Sequence, residues 1–200
     1  NLLNSKTIYQ LKSITNWGDF VSSLLNLSKK EKGDAFELLT KCLFEIKPQY
    51  SKLYDNVWLL SEVPQKELEY LGLPSHDLGI DLIAKTGNEY HAIQCKYHSD
   101  KYQSVTFKEV STFTTIVEGN AKISKGYICS SALSTSKNFD KVNKGNIIKI
   151  LGDTWQELDT EFFNNVNQKL QGKAVKITPF KPREHQKKAL VDATQHFVTN

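Results

Sequence analysis

Residues 79–96 read Gly79-Ile80-Asp81-Leu82-Ile83-Ala84-Lys85, then Thr86-Gly87-Asn88-Glu89, then Tyr90-His91-Ala92-Ile93-Gln94-Cys95-Lys96. Two β-rich runs flank a Gly-Asn pair, the pattern of a two-residue hairpin turn. With Gly87 and Asn88 at its centre, cross-strand partners have numbers that sum to 175. That register predicts Asp81 opposite Gln94 and Lys96 opposite Gly79. Side chains two apart on a strand share a face. Asp81, Gln94 and Lys96 are therefore expected on one side, and Ile80, Leu82, Ile93 and Cys95 on the other. Opposed Cβ atoms lie about 4.5–5.5 Å apart, close enough for a carboxylate and an amide oxygen to share one cation. An acid, an amide and a lysine on otherwise apolar strands call for a chemical explanation.

The chain's 200 residues suit one generous domain, or one domain with an appendage. An apolar fraction of 39% with 24% charged residues describes a globular protein and excludes a disordered one. No apolar run approaches the ~18 residues of a membrane span, and no signal-peptide pattern opens the chain. Cys42, Cys95 and Cys129 are far apart and form no Cys-x-x-Cys pair, which argues against a zinc site or a disulfide framework. A reducing, cytoplasmic setting without a membrane partner is expected. The formal charge of +4 permits a nucleic-acid partner without demanding one. The chain has no methionine, and we read it as a fragment of a longer polypeptide.

Around the hairpin the pattern alternates. Asn16 is a plausible helix cap before Trp17, Phe20, Val21, Leu24 and Leu25, which recur at helical spacing. The run Lys29-Lys30-Glu31-Lys32-Gly33 reads as an interruption. A second helix is expected from Asp34, with Phe36, Leu39, Leu43 and Ile46 as its stripe and Pro48 at its end. Glu37 lies beside that stripe, where a solvated pair with Lys41 at i,i+4 would also account for it. Residues 57–63 read as a strand and Gln65 to Leu71 as a helix. After the hairpin come a helix from Val105 to Val117, a strand at Gly126 to Cys129 that ends in Ser130-Ser131, and a short helix from Ser136 to Lys144. A strand from Asn146 to Leu151 and a helix capped by Asp153 and running through Val166 follow. This order predicts an α/β layer with a partly parallel sheet.

Hydrolysing a phosphodiester requires neutralising phosphoryl charge and making water nucleophilic near neutral pH, and a divalent cation does both. Magnesium takes hard oxygen ligands and keeps several waters, so one or two carboxylates with an amide or backbone carbonyl suffice. Asp81 offers a carboxylate, Gln94 an amide oxygen and Cys95 a backbone carbonyl. Lys96 on the same face is suited to orient water and stabilise the developing charge. No paired ligand spacing supports a metal role for His76, His91 or His98, and His91 is expected on the opposite face.

A strand Asp, a hairpin and then acid-or-Gln-x-Lys resembles the PD-(D/E)xK restriction-endonuclease-like superfamily, most closely its Mrr-like branch, which commonly has Gln-x-Lys. Here Asp77-Leu78-Gly79-Ile80-Asp81 is followed by Gln94, thirteen positions after Asp81, and Lys96. The resemblance covers roughly residues 30–155. It implies an α/β fold with a central mixed β-sheet flanked by helices, and a Mg²⁺ (or Mn²⁺) cofactor. By residue, it implies a catalytic core of Asp81, Gln94 and Lys96. Glu37, within Gly33-Asp34-Ala35-Phe36-Glu37, would be an accessory metal ligand, and Asp77 a further acid or a loop-shaping residue. Gln94 departs from the acid usual at its position and removes a negative charge.

DNA affinity is expected from Lys29, Lys30, Lys32, Lys101 and Lys108, with Tyr97 and Tyr102 packing on sugars or bases. At the end, Phe180-Lys181-Pro182-Arg183-Glu184-His185-Gln186-Lys187-Lys188-Ala189-Leu190 resembles the segment that opens superfamily 2 helicase motors, in which the matching Gln186 recognises adenine. No phosphate loop follows within the chain, so ATP would enter only through a missing helicase portion. The expected organisation is an N-terminal helical extension (1–29), an Mrr-like nuclease domain (30–169), a linker (170–182) and the start of a helicase-like domain (183–200). An Mrr-like nuclease joined to a helicase is similar to the N-terminus of single-polypeptide, ISP-type restriction-modification enzymes. That resemblance implies a DNA endonuclease acting on double-stranded DNA, with helicase and methyltransferase domains downstream. Two alternatives stand beside it: a catalytically degenerate DNA-binding module, and a structure-specific junction nuclease.

Overall fold

The computed structural model describes residue 11 and residues 13–74, 79–142 and 145–175. Its centre is a mixed five-stranded sheet in sequential order: β1 (Asn56–Leu59), β2 (Leu82–Thr86), β3 (Glu89–Lys96), β4 (Ile123–Ser130) and β5 (Ile147–Ile150). The first three strands are antiparallel, and β3, β4 and β5 run parallel. The hairpin register is the expected one, since Leu82 pairs with Ile93, Ala84 with His91 and Thr86 with Glu89.

Helices cover both faces, as strands apolar on both sides require. One face carries α1 (Trp17–Ser23), α2 (Lys29–Ile46), α7 (Gly152–Gln156) and α8 (Thr160–Leu170), with the one-turn α3 (Pro48–Ser51) leading to β1. Phe20, Phe36, Leu39, Phe44, Trp155 and Phe163 pack there on Leu82, Ile93, Cys95 and Cys129. The other face carries α4 (Gln65–Leu71), α5 (Phe107–Gly119) and α6 (Lys137–Val142). Leu68, Val110, Phe113 and Phe139 pack there on Ile83, Ala92 and Ile128. Each buried leucine, isoleucine, valine or phenylalanine among them contributes about 1.5–3 kcal/mol of burial energy. A Cβ on Gly126 would stand 3.1 Å from the Phe113 ring and from Val117, so the missing side chain lets α5 lie close to β4.

Three sequence expectations are corrected. The second helix begins at Lys29, not Asp34, because Ser28 and Glu31 form a capping box that starts it before the lysine run. The strand expected over residues 57–63 stops at Leu59 and turns into a 3₁₀ turn at Leu60–Glu62. The helix expected from Asp153 is two helices, because Asp159 accepts from the Phe162 N–H at 2.8 Å and caps a new one.

The segment from Ser130 to Leu133 is locked from behind. The Trp155 indole donates to the Ser130 carbonyl at 2.9 Å, and the Gly152 N–H donates to the Ala132 carbonyl at 2.8 Å. A Cβ on Gly152 would stand 2.8 Å from the Ser131 carbonyl oxygen. Backbone cannot retreat as a side-chain tip can. Gly152→Ala should cost about 1–3 kcal/mol of stability, read as a lowered urea midpoint with an unchanged slope.

Candidate active site

The site begins where the β2–β3 ladder breaks. Leu82 is the last residue of β2 in register, paired with Ile93. The Asp81 N–H also donates to the Ile93 carbonyl, at 2.9 Å. Two residues therefore oppose one, the arrangement of a β-bulge, which bends a strand and re-aims its side chains. The facing pattern confirms it. Ile80 packs in the α5 layer and Leu82 in the α2 layer, although residues two apart on a regular strand share a face. The expected grouping of Ile80 with Leu82, Ile93 and Cys95 is corrected accordingly, as is the direct ladder pairing of Asp81 with Gln94.

The bulge turns the Asp81 carboxylate onto the neighbouring strand. Its Oδ2 accepts from the Cys95 N–H at 2.6 Å, a short charge-assisted bond. That N–H would meet a backbone carbonyl in a continued ladder, so the side chain has replaced the main chain as acceptor. The carboxylate thus lies at the main chain of the residue between Gln94 and Lys96. In an antiparallel ladder the N–H and C=O of one residue point to the same neighbour. The Cys95 carbonyl is therefore directed to the same side as its N–H, toward Asp81 at the end of the ladder.

Gln94 is buried, and its Oε1 has no hydrogen-bond partner among the described residues. Its Nε2 lies 2.8 Å from where a Cβ on Gly79 would be, with the Phe113 main chain just beyond, on the α5 side of the sheet. Gly79 has a φ of +81°, a conformation that costs glycine little. Lys96 follows Gln94 on the same side by alternation and is half-buried. Its carbonyl accepts from the Ser130 hydroxyl at 2.7 Å and from the Ser131 N–H at 3.3 Å.

Glu37 approaches from the opposite layer. It is half-buried on α2, one turn before Thr40, whose hydroxyl faces the Cys95 thiol. Burial pushes that thiol well above its ordinary value, and the negative charges of Asp81 and Glu37 add to the shift. Cys129, its partner on β4, is raised by burial and again by Asp81. These thiols are packing groups, not nucleophiles. Lys41, offered in sequence as the bland partner of Glu37, has its ammonium on Glu62.

His98, next along that face after Lys96, is also buried. Its N–H donates to the Ser131 hydroxyl at 2.7 Å, and its Nε2 lies 3.4 Å from Glu109 on α5. Burial pushes the Glu109 carboxyl up, but hydrogen bonds from Thr106 and the charges of His98 and Lys96 outweigh it and leave it lowered. His91 is on the opposite face as expected, bonded through Nδ1 to Tyr54 at 2.7 Å. Burial, then Lys125, lowers its imidazole. Asp77 and Gln186 lie outside the described residues. Sequence reasoning noticed Ser130-Ser131 but gave it no role. The structure makes it the brace under Lys96, a function that small polar residues at a strand end do not announce.

Among the described residues no three His, Cys, Asp or Glu side chains cluster as a metal cage. A sparser set of oxygen donors lines this stretch of β3: the carboxylate of Asp81 on the main chain of Cys95, and the amide of Gln94 next to it in the chain, with the charge of Glu37 felt at the Cys95 thiol from α2. Carboxylate, amide and carbonyl oxygens are hard donors, the kind magnesium prefers.

A restriction endonuclease family model, Mrr_cat_2, matches residues 45–177. The chain belongs to this family. The match takes in Asp81, Gln94 and Lys96 and begins after Glu37. Among solved structures, the chain is similar to the ATP-dependent Type ISP restriction-modification enzyme LlaBIII bound to DNA. The two share 26% identity with a TM-score of 0.56, over 94% of this chain and 11% of that one. The chain therefore spans about a tenth of that enzyme's length. The protein of unknown function AF1548 shares 17% identity over 57% of this chain and 60% of its own, with a TM-score of 0.33. No curated protein matches this chain. Among the described residues no helix is long and apolar enough to cross a membrane.

Gly79→Ala tests the cradle. The left-handed φ should cost about 1 kcal/mol of stability, read by urea unfolding. The new Cβ would clash with the far end of the Gln94 side chain and make ordinary contact with Phe113, so the amide should swing away. Affinity for Mn²⁺, measured by calorimetry, should then fall while the fold persists.

Proposed function

We propose that this chain is a Mg²⁺-dependent DNA endonuclease domain that hydrolyses phosphodiester bonds in double-stranded DNA, and that it works within a longer ATP-dependent restriction-modification enzyme. The observation that carries the reading is the Asp81 carboxylate, bonded to the Cys95 N–H between Gln94 and Lys96, in a chain of a restriction endonuclease family.

Asp81, the Gln94 amide and the Cys95 carbonyl would hold the cation, with Glu37 as an accessory. Bound there, it would supply Lewis-acid polarisation and a water of lowered pKa. The chain's own groups do the rest. The bulge fixes Asp81 without relying on a flexible loop. The Ser130–Ser131 brace holds the Lys96 main chain, so its ammonium can be aimed at a phosphoryl oxygen or the attacking water. Buried donors placed in advance stabilise developing charge at little reorganisation cost.

Support for the DNA substrate is the basic balance of +4 and the similarity to an enzyme solved bound to DNA. That neighbour is itself ATP-dependent. A downstream helicase, with Gln186 contacting adenine, and a methyltransferase are therefore the partners we propose for the longer polypeptide. Three free, buried cysteines suit a reducing cytoplasm.

One feature favours a second reading, a DNA-holding module without chemistry: Gln94 is neutral where an acid is usual. Two measurements decide between them. Asp81→Ala or Lys96→Ala in the full enzyme should reduce DNA cleavage on the order of 10²–10³-fold or more, with circular dichroism unchanged. Mn²⁺ titration of the wild-type chain should reveal a site that Asp81→Ala abolishes. Undiminished cutting by the Asp81 variant would refute the nuclease assignment, and the absence of any Asp81-dependent cation site would favour the holding module.

A further inference from the structure

The loop that leaves the site, residues 97–105, is built to present one aromatic ring. Tyr102 is 74% exposed, among the most exposed large apolar side chains described. A single surface tyrosine is ordinary, but this one sits on a loop bonded along its length. The His98 N–H donates to the Ser131 hydroxyl, which donates back to the His98 carbonyl at 3.0 Å. The Leu133 N–H donates to the Lys101 carbonyl at 2.8 Å, and the Val105 N–H to the Ser134 carbonyl at 3.0 Å. The hydroxyls of Ser104 and Ser134 lie 2.7 Å apart. Asp100 accepts from the Tyr102 N–H at 2.9 Å, closing the turn beneath the ring. The loop is thus clamped to the segment after β4, the same one that braces Lys96.

The chemistry around the ring is that of a nucleic-acid contact. The Lys101 ammonium lies over the Tyr102 ring, 5.3 Å from its centroid, and the tyrosine as a whole is largely exposed. Among the described residues neither Lys101 nor Lys108 has a carboxylate within ion-pair distance. The two nearest acids in sequence are already engaged: Asp100 by the Tyr102 main chain, Glu109 by Thr106 and His98. Past Val105 the loop enters the start of α5. An open cavity of about 520 Å³ lies there, lined by Thr106, Phe107, Lys108, Ser111, Ser136 and Asn138. Hydroxyls, an amide and a lysine around an apolar floor suit a sugar-phosphate strand.

A paired duplex offers phosphates and groove edges to such a surface but no free base face, whereas an unpaired strand offers a face for every base. We propose that Tyr102, with Lys101, is a stacking platform for an unpaired nucleobase, so that the DNA reaching this site is locally opened next to the scissile bond. The proposal rests on the DNA-cleavage reading, but its test does not require cleavage.

Binding of the 200-residue chain in EDTA is followed by fluorescence anisotropy on three labelled DNAs of one sequence: single-stranded, duplex with a central unpaired bubble, and fully paired. Tyr102→Ala should weaken binding to the first two on the order of tenfold, and to the paired duplex by less than about twofold. Tyr102→Phe should match the wild type. Lys101→Ala should weaken all three and reduce the salt slope by about one. An equal loss on all three DNAs for Tyr102→Ala would overturn the proposal in favour of a backbone contact. No loss on any DNA would overturn it too, and would assign the ring to a protein surface. Failure of hydrolysis alone would show in the Asp81 and Lys96 variants and leave this pattern untouched.

Discussion

A side chain standing in for a main-chain carbonyl is the constraint on which the site depends. The Cys95 N–H must find an acceptor, because an unmade bond inside the sheet costs about 1–3 kcal/mol. With the ladder broken at Leu82, that acceptor is the Asp81 carboxylate. A structural requirement and a chemical one are met by the same bond. That bond holds the acid at the end of the β2–β3 ladder.

Everything adjacent follows from that break. Ile80 crosses to the α5 layer, Gly79 takes a left-handed turn and Gln94 fills the space over it. The parallel half of the sheet contributes the brace. Lys96 and Ser130 pair at the ends of β3 and β4, and the Ser130 hydroxyl returns to the Lys96 carbonyl. Trp155 and Gly152 in turn fix Ser130 to Ala132 from the α2 side. A fault in the packing of Trp155 would therefore reach Lys96 through two hydrogen bonds.

The donors around Asp81 are sparse by comparison with a closed metal cage. Under the proposed reading, one well-fixed carboxylate, an amide and a carbonyl would hold magnesium loosely and leave it room for water. That room would suit the proposed hydrolysis, in which the ion would supply Lewis-acid polarisation and a water of lowered pKa. The neutral Gln94 is consistent with that economy, because a buried amide costs far less than a second buried carboxylate.

Much of this was legible in the sequence, and for definite reasons. Gly87-Asn88 set the hairpin register because a two-residue turn leaves no slack. Alternation then placed Gln94 and Lys96 together and His91 on the far face. The capping box at Ser28 was equally written in the chain but hidden by the lysine run around it. What the sequence could not give was the bulge at Asp81. A bulge changes which face a residue takes without changing any residue, so periodicity is blind to it. It is decided by the two flanking segments, since the Leu60 N–H just past β1 bonds the Asp81 carbonyl and the Asp81 N–H bonds the Ile93 carbonyl on β3. The residue types of the site were thus determined by the chain itself. Their meeting, with a carboxylate on a strand's main chain, was decided by three-dimensional packing.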